Sequence, residues 1–169
     1  CLPPIRGGRS GGGPPIPTTT VDATGATRTT VITDGRVTAT IDADGVETSY
    51  TYDPVHPQMI STVTDGVGNT TTYTYHPSGR LHTETTPSGL TTTHLYDDAG
   101  RVTSVANPTT GLTTIKYDDL GRVEETTDEA TGTTTFTYNK AGQPLTVTDA
   151  AGDTTTNVYD ASGDLIRTI

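Results

Sequence analysis

The chain is 169 residues long, with 20 acidic against 10 basic side chains and a formal net charge of −10. Hydrophobic residues make up 30% of it, with no Trp and one Phe, a composition near the border of disorder and too lean for a conventional core. The charge disfavours nucleic acid and anionic membrane surfaces as partners, and no segment approaches the ~20 apolar residues of a membrane span.

The first segment, residues 1–20, reads "CLPPIRGGRSGGGPPIPTTT". Gly and Pro exclude helix and the interior of a regular sheet, so an extended arm is predicted, lying as a clasp along a neighbouring subunit. Cys1 is the single cysteine, so no intrachain disulfide can form. A lipidated N-terminus, an intermolecular or unused thiol, and a chain whose true start lies elsewhere all remain open for it.

Residues 21–169 repeat. Tyr52, Tyr75, Tyr96, Tyr117, Tyr138 and Tyr159 stand about 21 residues apart, the first interval being longer because of "PVHPQMI", and one period before Tyr52 lies Val31. About seven units share this register. A turn follows each Tyr and ends in Gly79, Gly100, Gly121, Gly142 or Gly163, where positive φ is expected; an alternating run, a second turn such as "DADG" or "DAAG", and "xTTxxxY" complete the unit. Each unit therefore reads as one β-hairpin of Thr, Val, Tyr and Ile, and the fold class is all-β: a long twisted or spiralling antiparallel sheet.

Because side chains alternate along a strand, the residues two before each register Tyr share its face: Tyr50, Tyr73, His94, Ile115, Phe136 and Asn157. Two columns of large side chains are expected to stack along the sheet, with stability summed between neighbouring repeats.

Chemistry-bearing residues form no catalytic or cofactor pattern, and no enzyme, cofactor or metal is expected. His56, His76, His82 and His94 lack metal-ligand spacing, and "DADG" at Asp42 to Gly45 lacks the remaining ligands of a calcium loop. Asp34, Asp65, Asp128 and Asp149 recur at turns, where their side chains bond local backbone. Thr is about a quarter of the chain, and suits strands. Its hydroxyls would also serve as O-glycan acceptors, with Thr71, Thr92, Thr134 and Thr155 as candidates, and Asn69 in "NTT" fits the N-glycosylation sequon.

The pattern Y-D-x-x-G-R-V…D-x-x-G-x-T-T-x-x-Y, clearest in "YDDAGRVTSVANPTTGLTTIKY" and "YDDLGRVEETTDEATGTTTFTY", resembles the YD repeat of RHS (rearrangement hot spot) proteins over about residues 21–169. The resemblance implies a secreted or surface protein, mainly bacterial, whose hairpins join edge to edge into a spiralling sheet, often a hollow shell around a toxic domain.

The array opens on half a repeat, "TVDATGATRTTV", and closes on the complementary half, "YDASGDLIRTI". Joined across two molecules they read as one repeat, so a non-enzymatic head-to-tail surface filament is expected, with Val21, Val31, Leu165, Ile166 and Ile169 at the subunit interface. A fragment of a large RHS toxin shell and a glycan-binding adhesin are the alternatives.

Overall fold

The computed structural model describes residues 13–21 and 23–169, and the chain divides into two compact units, the first ending at Arg80 and the second spanning Leu81–Ile169. In the first unit lie β1 (Ile16–Val21), β2 (Thr27–Thr33), β3 (Arg36–Ile41), β4 (Glu47–Tyr52), β5 (Ile60–Thr64) and β6 (Thr70–Tyr75). In the second lie β7 (Leu81–Thr85), β8 (Thr91–Tyr96), β9 (Val102–Asn107), β10 (Gly111–Tyr117), β11 (Val123–Asp128), β12 (Gly132–Tyr138), β13 (Pro144–Thr148), β14 (Thr154–Tyr159) and β15 (Leu165–Thr168). Within each unit every strand pairs antiparallel with its neighbour in the chain, and the described residues contain no helix. Among the described residues no helix is long and apolar enough to cross a membrane.

Turn chemistry explains this meander. After Tyr117, the amide of Asp118 bonds the carbonyl of Arg122 at 2.8 Å and that of Gly121 bonds the carbonyl of Asp118 at 2.9 Å. The glycine stands at φ +82°, in the left-handed region that a three-residue hairpin loop requires. The other registered glycines, Gly79, Gly100, Gly142 and Gly163, also have positive φ, between 81° and 92°. Each such turn feeds a bulge: Lys116 faces Glu125 but Tyr117 faces Val123, so Glu124 is extra, and the same slip recurs at Tyr52, Tyr96, Tyr138 and Tyr159. A bulge bends its strand and increases the local twist. Repetition of the sequence thus repeats the bend.

Register sorts side chains onto two faces. In the second unit His94 faces Val105, Tyr96 faces Val102, Ile115 faces Thr126, and Phe136 faces Val147, giving one face of large apolar groups. In the first, Tyr50 and Tyr52 face Val63 and Ile60 in the same way. The opposite face is laced by hydroxyl pairs across neighbouring strands: Thr64 to Thr70 at 2.8 Å, and Thr85 to Thr91, Thr127 to Thr133 and Thr148 to Thr154 each at 2.9 Å. Each cross-strand pair contributes ~0.2–1 kcal/mol. Among the described residues the one buried hydrophobic side chain is Ala39, 7% exposed. Half-buried pairs on two faces take the place of a core.

Strand pairing begins inside the segment expected as an arm: Ile16 faces Ile32 and Pro17 faces Val31. Pro lacks the ladder donor, and an edge strand such as β1 tolerates it because one side of the strand makes no ladder bonds. The part of the arm at residues 1–12, with Cys1, lies outside the described residues.

Candidate functional site

The recurring chemistry sits at the end of each hairpin where the register Tyr meets the following turn. Every register Tyr hydroxyl donates to the carbonyl of the first or second residue of the partner strand. The distances are 2.7 Å for Tyr52 to Val37, 2.6 Å for Tyr75 to Ile60, 2.9 Å for Tyr96 to Leu81 and 2.8 Å for Tyr117 to Val102. Tyr138 to Val123 and Tyr159 to Pro144 follow at 2.7 Å.

A second element covers the ring. Arg101 lies 4.3 Å from the Tyr117 ring centre, Arg122 lies 4.4 Å from that of Tyr138, and Arg36 lies 5.0 Å from that of Tyr52. Register tyrosines are two strands apart, about 10 Å at ordinary strand spacing, too far for ring-on-ring stacking. At Tyr52, Tyr117 and Tyr138 an arginine from the preceding turn lies in the interval as a cation–π partner.

Arg36 donates to the carbonyl of Pro57 at 2.7 Å, and the other two arginines are held by an aspartate of their own turn. Asp118 Oδ2 accepts Arg122 Nε at 2.7 Å and pairs with its terminal nitrogen at 2.6 Å; Asp97 does the same for Arg101 at 2.8 Å to both nitrogens. The other carboxylate oxygen tightens the turn, accepting the amides of Leu120 and Arg122 at 3.0 and 2.9 Å. The side-chain bond from Arg122 holds Asp118 below the ordinary carboxylate range, and the backbone amide of Arg101 is the largest cause of the same shift at Asp97. The motif D-x-x-G-R is thus a turn, an ion pair and a lid for the next tyrosine.

Other repeats vary it. In the longer unit His56 replaces the arginine, its ring 6.4 Å from that of Tyr75 and edge-on, with Nδ1 3.1 Å from Asp53 Oδ1 and Nε2 3.2 Å from the carbonyl of Pro77. Burial raises the Tyr75 hydroxyl above its usual value. Further along, Asn139 and Gln143 stand where Asp118 and Arg122 do, and their amides bond each other at 2.7 Å while Gln143 Nε2 donates to the carbonyl of Gly163 at 2.6 Å.

The remaining candidates scatter. Thr71, Thr92, Thr134 and Thr155 lie on the tyrosine face, since Thr71 faces Val63, Thr134 faces Thr126 and Thr155 faces Val147. The hydroxyl-laced face is the other one, and Thr92 already accepts from Asn107 at 3.0 Å. Asn69 is exposed in its turn, its amide donating to Asp65 at 2.9 Å. Of the interface candidates, Val21 is 64% exposed on β1, and Leu165, Ile166 and Ile169 are 56%, 61% and 61% exposed at β15. Val31 is not at an edge, because Pro17 flanks it on one side and Ala39 on the other. Among the described residues no group of three or more His, Cys, Asp or Glu could hold a metal ion.

Comparison with known proteins fits these repeats. The RHS repeat model matches residues 33–56, 59–91, 77–113 and 117–155, and the chain belongs to the RHS repeat family. Similar solved structures include the Photorhabdus luminescens Tc holotoxin pore and the TcdB2-TccC3-Cdc42 complex, each with a TM-score of 0.68 at 17% identity. TcdB2-TccC3 without its hypervariable C-terminal region gives 0.67 at 17%. Each likeness covers 85% of this chain and 9% of the other, so the chain spans about a tenth of the length of these relatives. No curated protein matches by sequence.

Proposed function

We propose that this chain is a stretch of wall in a large RHS shell of the toxin-complex type, exported by a bacterium and non-enzymatic in itself. The observation that carries the reading is the recurrence of one bulged hairpin with no metal-binding cluster among the described residues, joined to a fold likeness of 0.68 to a Tc toxin assembly. A single-layer sheet with one apolar and one hydroxyl face suits a wall that separates two environments. The Tyr–Arg–Asp clamps at Tyr117 and Tyr138 supply stiffness to such a wall, because each fastens one hairpin to the next by a contact that does not need a core. The comparisons favour this reading over the head-to-tail filament expected from the half-repeats.

Electron microscopy of the native polypeptide that contains this sequence tests the reading. Hollow particles from a chain several times 17.6 kDa are the expected outcome. Extended fibres of the 17.6 kDa species would overturn it and return the argument to the filament.

A further inference from the structure

The loop after Tyr52, residues 53–59, is two residues longer than the D-x-x-G-R turns, and a groove of about 410 Å³ opens beside it, wholly within the first unit. Asp34, Arg36, Tyr50, Tyr52 and Asp53 line it. Its volume lies within the ~300–1,000 Å³ of small-ligand sites.

Arg36 differs from the other ring-covering arginines in its partners. Arg101 and Arg122 pair with Asp97 and Asp118 of their own turns at 2.8 and 2.6 Å. The residue four before Arg36 is Ile32, so the turn offers it no such carboxylate. Its Nη1 donates to the carbonyl of Pro57 at 2.7 Å and its guanidinium lies 5.0 Å from the Tyr52 ring centre. Among the described residues no carboxylate lies within ion-pair distance of it, and its Nε and Nη2 make no hydrogen bond. Acceptors stand in the same groove. Asp34 Oδ1 accepts the amide of Gly13 at 2.9 Å, and Asp53 Oδ1 accepts those of Val55 and His56 at 3.0 and 2.6 Å. The second oxygen of each carboxylate makes no hydrogen bond among the described residues. The bond from the His56 amide, the largest cause, holds Asp53 below the ordinary carboxylate range.

A ligand that fits here must accept from a guanidinium and donate to two carboxylates. An anion would meet Asp34 and Asp53, and a cation would meet Arg36, whereas neutral hydroxyls both accept and donate. Arg36 already covers Tyr52, which leaves Tyr50 as the ring wall of the groove. We propose that this groove binds a neutral saccharide, whose vicinal hydroxyls accept from Arg36 and donate to Asp34 and Asp53 while a C–H face of the sugar packs on Tyr50. This goes beyond the wall reading and does not depend on it.

Titration of the folded chain with maltose, cellobiose, lactose and N,N′-diacetylchitobiose, followed by NMR of the Arg36 Nε–H and the Tyr50 ring, tests the site. Saturable shifts at both residues are expected with at least one of the four. Asp34→Asn keeps a residue type that tolerates the left-handed backbone at φ +52° and removes the charged acceptor. It should weaken binding by about tenfold, a change of ~1.4 kcal/mol. Arg36→Lys keeps the charge but loses the fork and should weaken it similarly, while Asp160→Asn in the second unit should leave it unchanged. Absence of saturable shifts with all four sugars, undiminished binding to both groove variants, equal shifts with glycerol, or a response to glucuronate or methylguanidinium in place of the neutral sugars each overturns the proposal.

Discussion

The hydroxyl of Tyr117 donates to the carbonyl of Val102 across 2.8 Å, from the last residue of one strand to the first residue of its partner. Fifteen positions separate the two residues, and the same interval recurs at all six register tyrosines. The bond closes the open end of each hairpin, while the Thr pairs close the other end.

Removing it selectively separates bond from ring. Tyr117→Phe keeps the surface beneath Arg101 and leaves the Val102 carbonyl to water, so it should cost about 1 kcal/mol. Tyr117→Ala removes the platform as well and should cost about 2–4 kcal/mol, less than a full core truncation because the site is half-buried. Urea unfolding of the two variants checks the order; equal losses would show that the ring contributes nothing beyond its hydroxyl.

Periodicity made the hairpins, the turn glycines and the shared face of Tyr50, Tyr52, Phe136 and Tyr138 legible in the sequence, since alternation and φ depend on local residues. The Arg lids over Tyr117 and Tyr138 were equally present, as the R of the D-x-x-G-R turn that precedes each of those rings, yet were not read. They depend on which strand lies next to which, a distance that a linear pattern does not state. Strand β1 was missed at Ile16 to Thr20 because Pro and Gly near it argue for an arm, whereas edge pairing with β2 overrides local propensity.

Two glycines with nearly the same backbone separate strain from crowding. Gly121 at φ +82° and Gly142 at φ +85° both occupy the left-handed region, so alanine at either costs about 1–2 kcal/mol. A Cβ at Gly142 meets nothing within 4 Å, but one at Gly121 would approach the guanidinium of Arg101 to 2.8 Å. Gly121→Ala should therefore cost more than Gly142→Ala and should also lift Arg101 from Tyr117. Thermal unfolding gives the difference; identical midpoints would mean that the lid has no fixed position.

Acid should loosen the clamps. Asp97 and Asp118 have folded values depressed below the ordinary 3.8, so the unfolded chain binds their protons more readily than the folded one. Their contribution is complete above that ordinary value and is lost as pH falls through the depressed folded values. Stability measured by urea midpoints should be flat with respect to these groups from neutrality to about pH 4 and decline below it. Asp118→Asn should be less stable at pH 7 and show a shallower acid decline; an unchanged acid limb would remove the ion pair from the account.

Glu129 laces two successive turns, and the lace can be isolated. Its Oε2 accepts the amide of Leu112 at 3.0 Å, and its own amide donates to the Leu112 carbonyl at 2.9 Å, so a side chain from one hairpin's turn is seated on the preceding one. Gly111 leaves room for it: a Cβ there would come within 2.7 Å of Oε2 and 3.2 Å of the Glu129 Cβ. Gly111 also stands at φ +87°, so Gly111→Ala carries a backbone strain of about 1–2 kcal/mol whatever Glu129 does. Glu129→Ala removes one hydrogen bond to a charged acceptor at an exposed site and should cost about 1 kcal/mol. If the carboxylate occupies the space over Gly111, the two losses overlap. In the Gly111→Ala background the lace is already displaced, and the second substitution should add only a few tenths of a kcal/mol. A double-mutant cycle by chemical denaturation reads this as a coupling of about 0.5–1 kcal/mol in the direction that makes the pair less damaging than its sum. Strict additivity would mean that the Glu129 carboxylate does not bridge the turns, and the junction between these hairpins would then rest on the ladder of β10 and β11 with the Thr113–Asp128 and Lys116–Glu125 side-chain contacts.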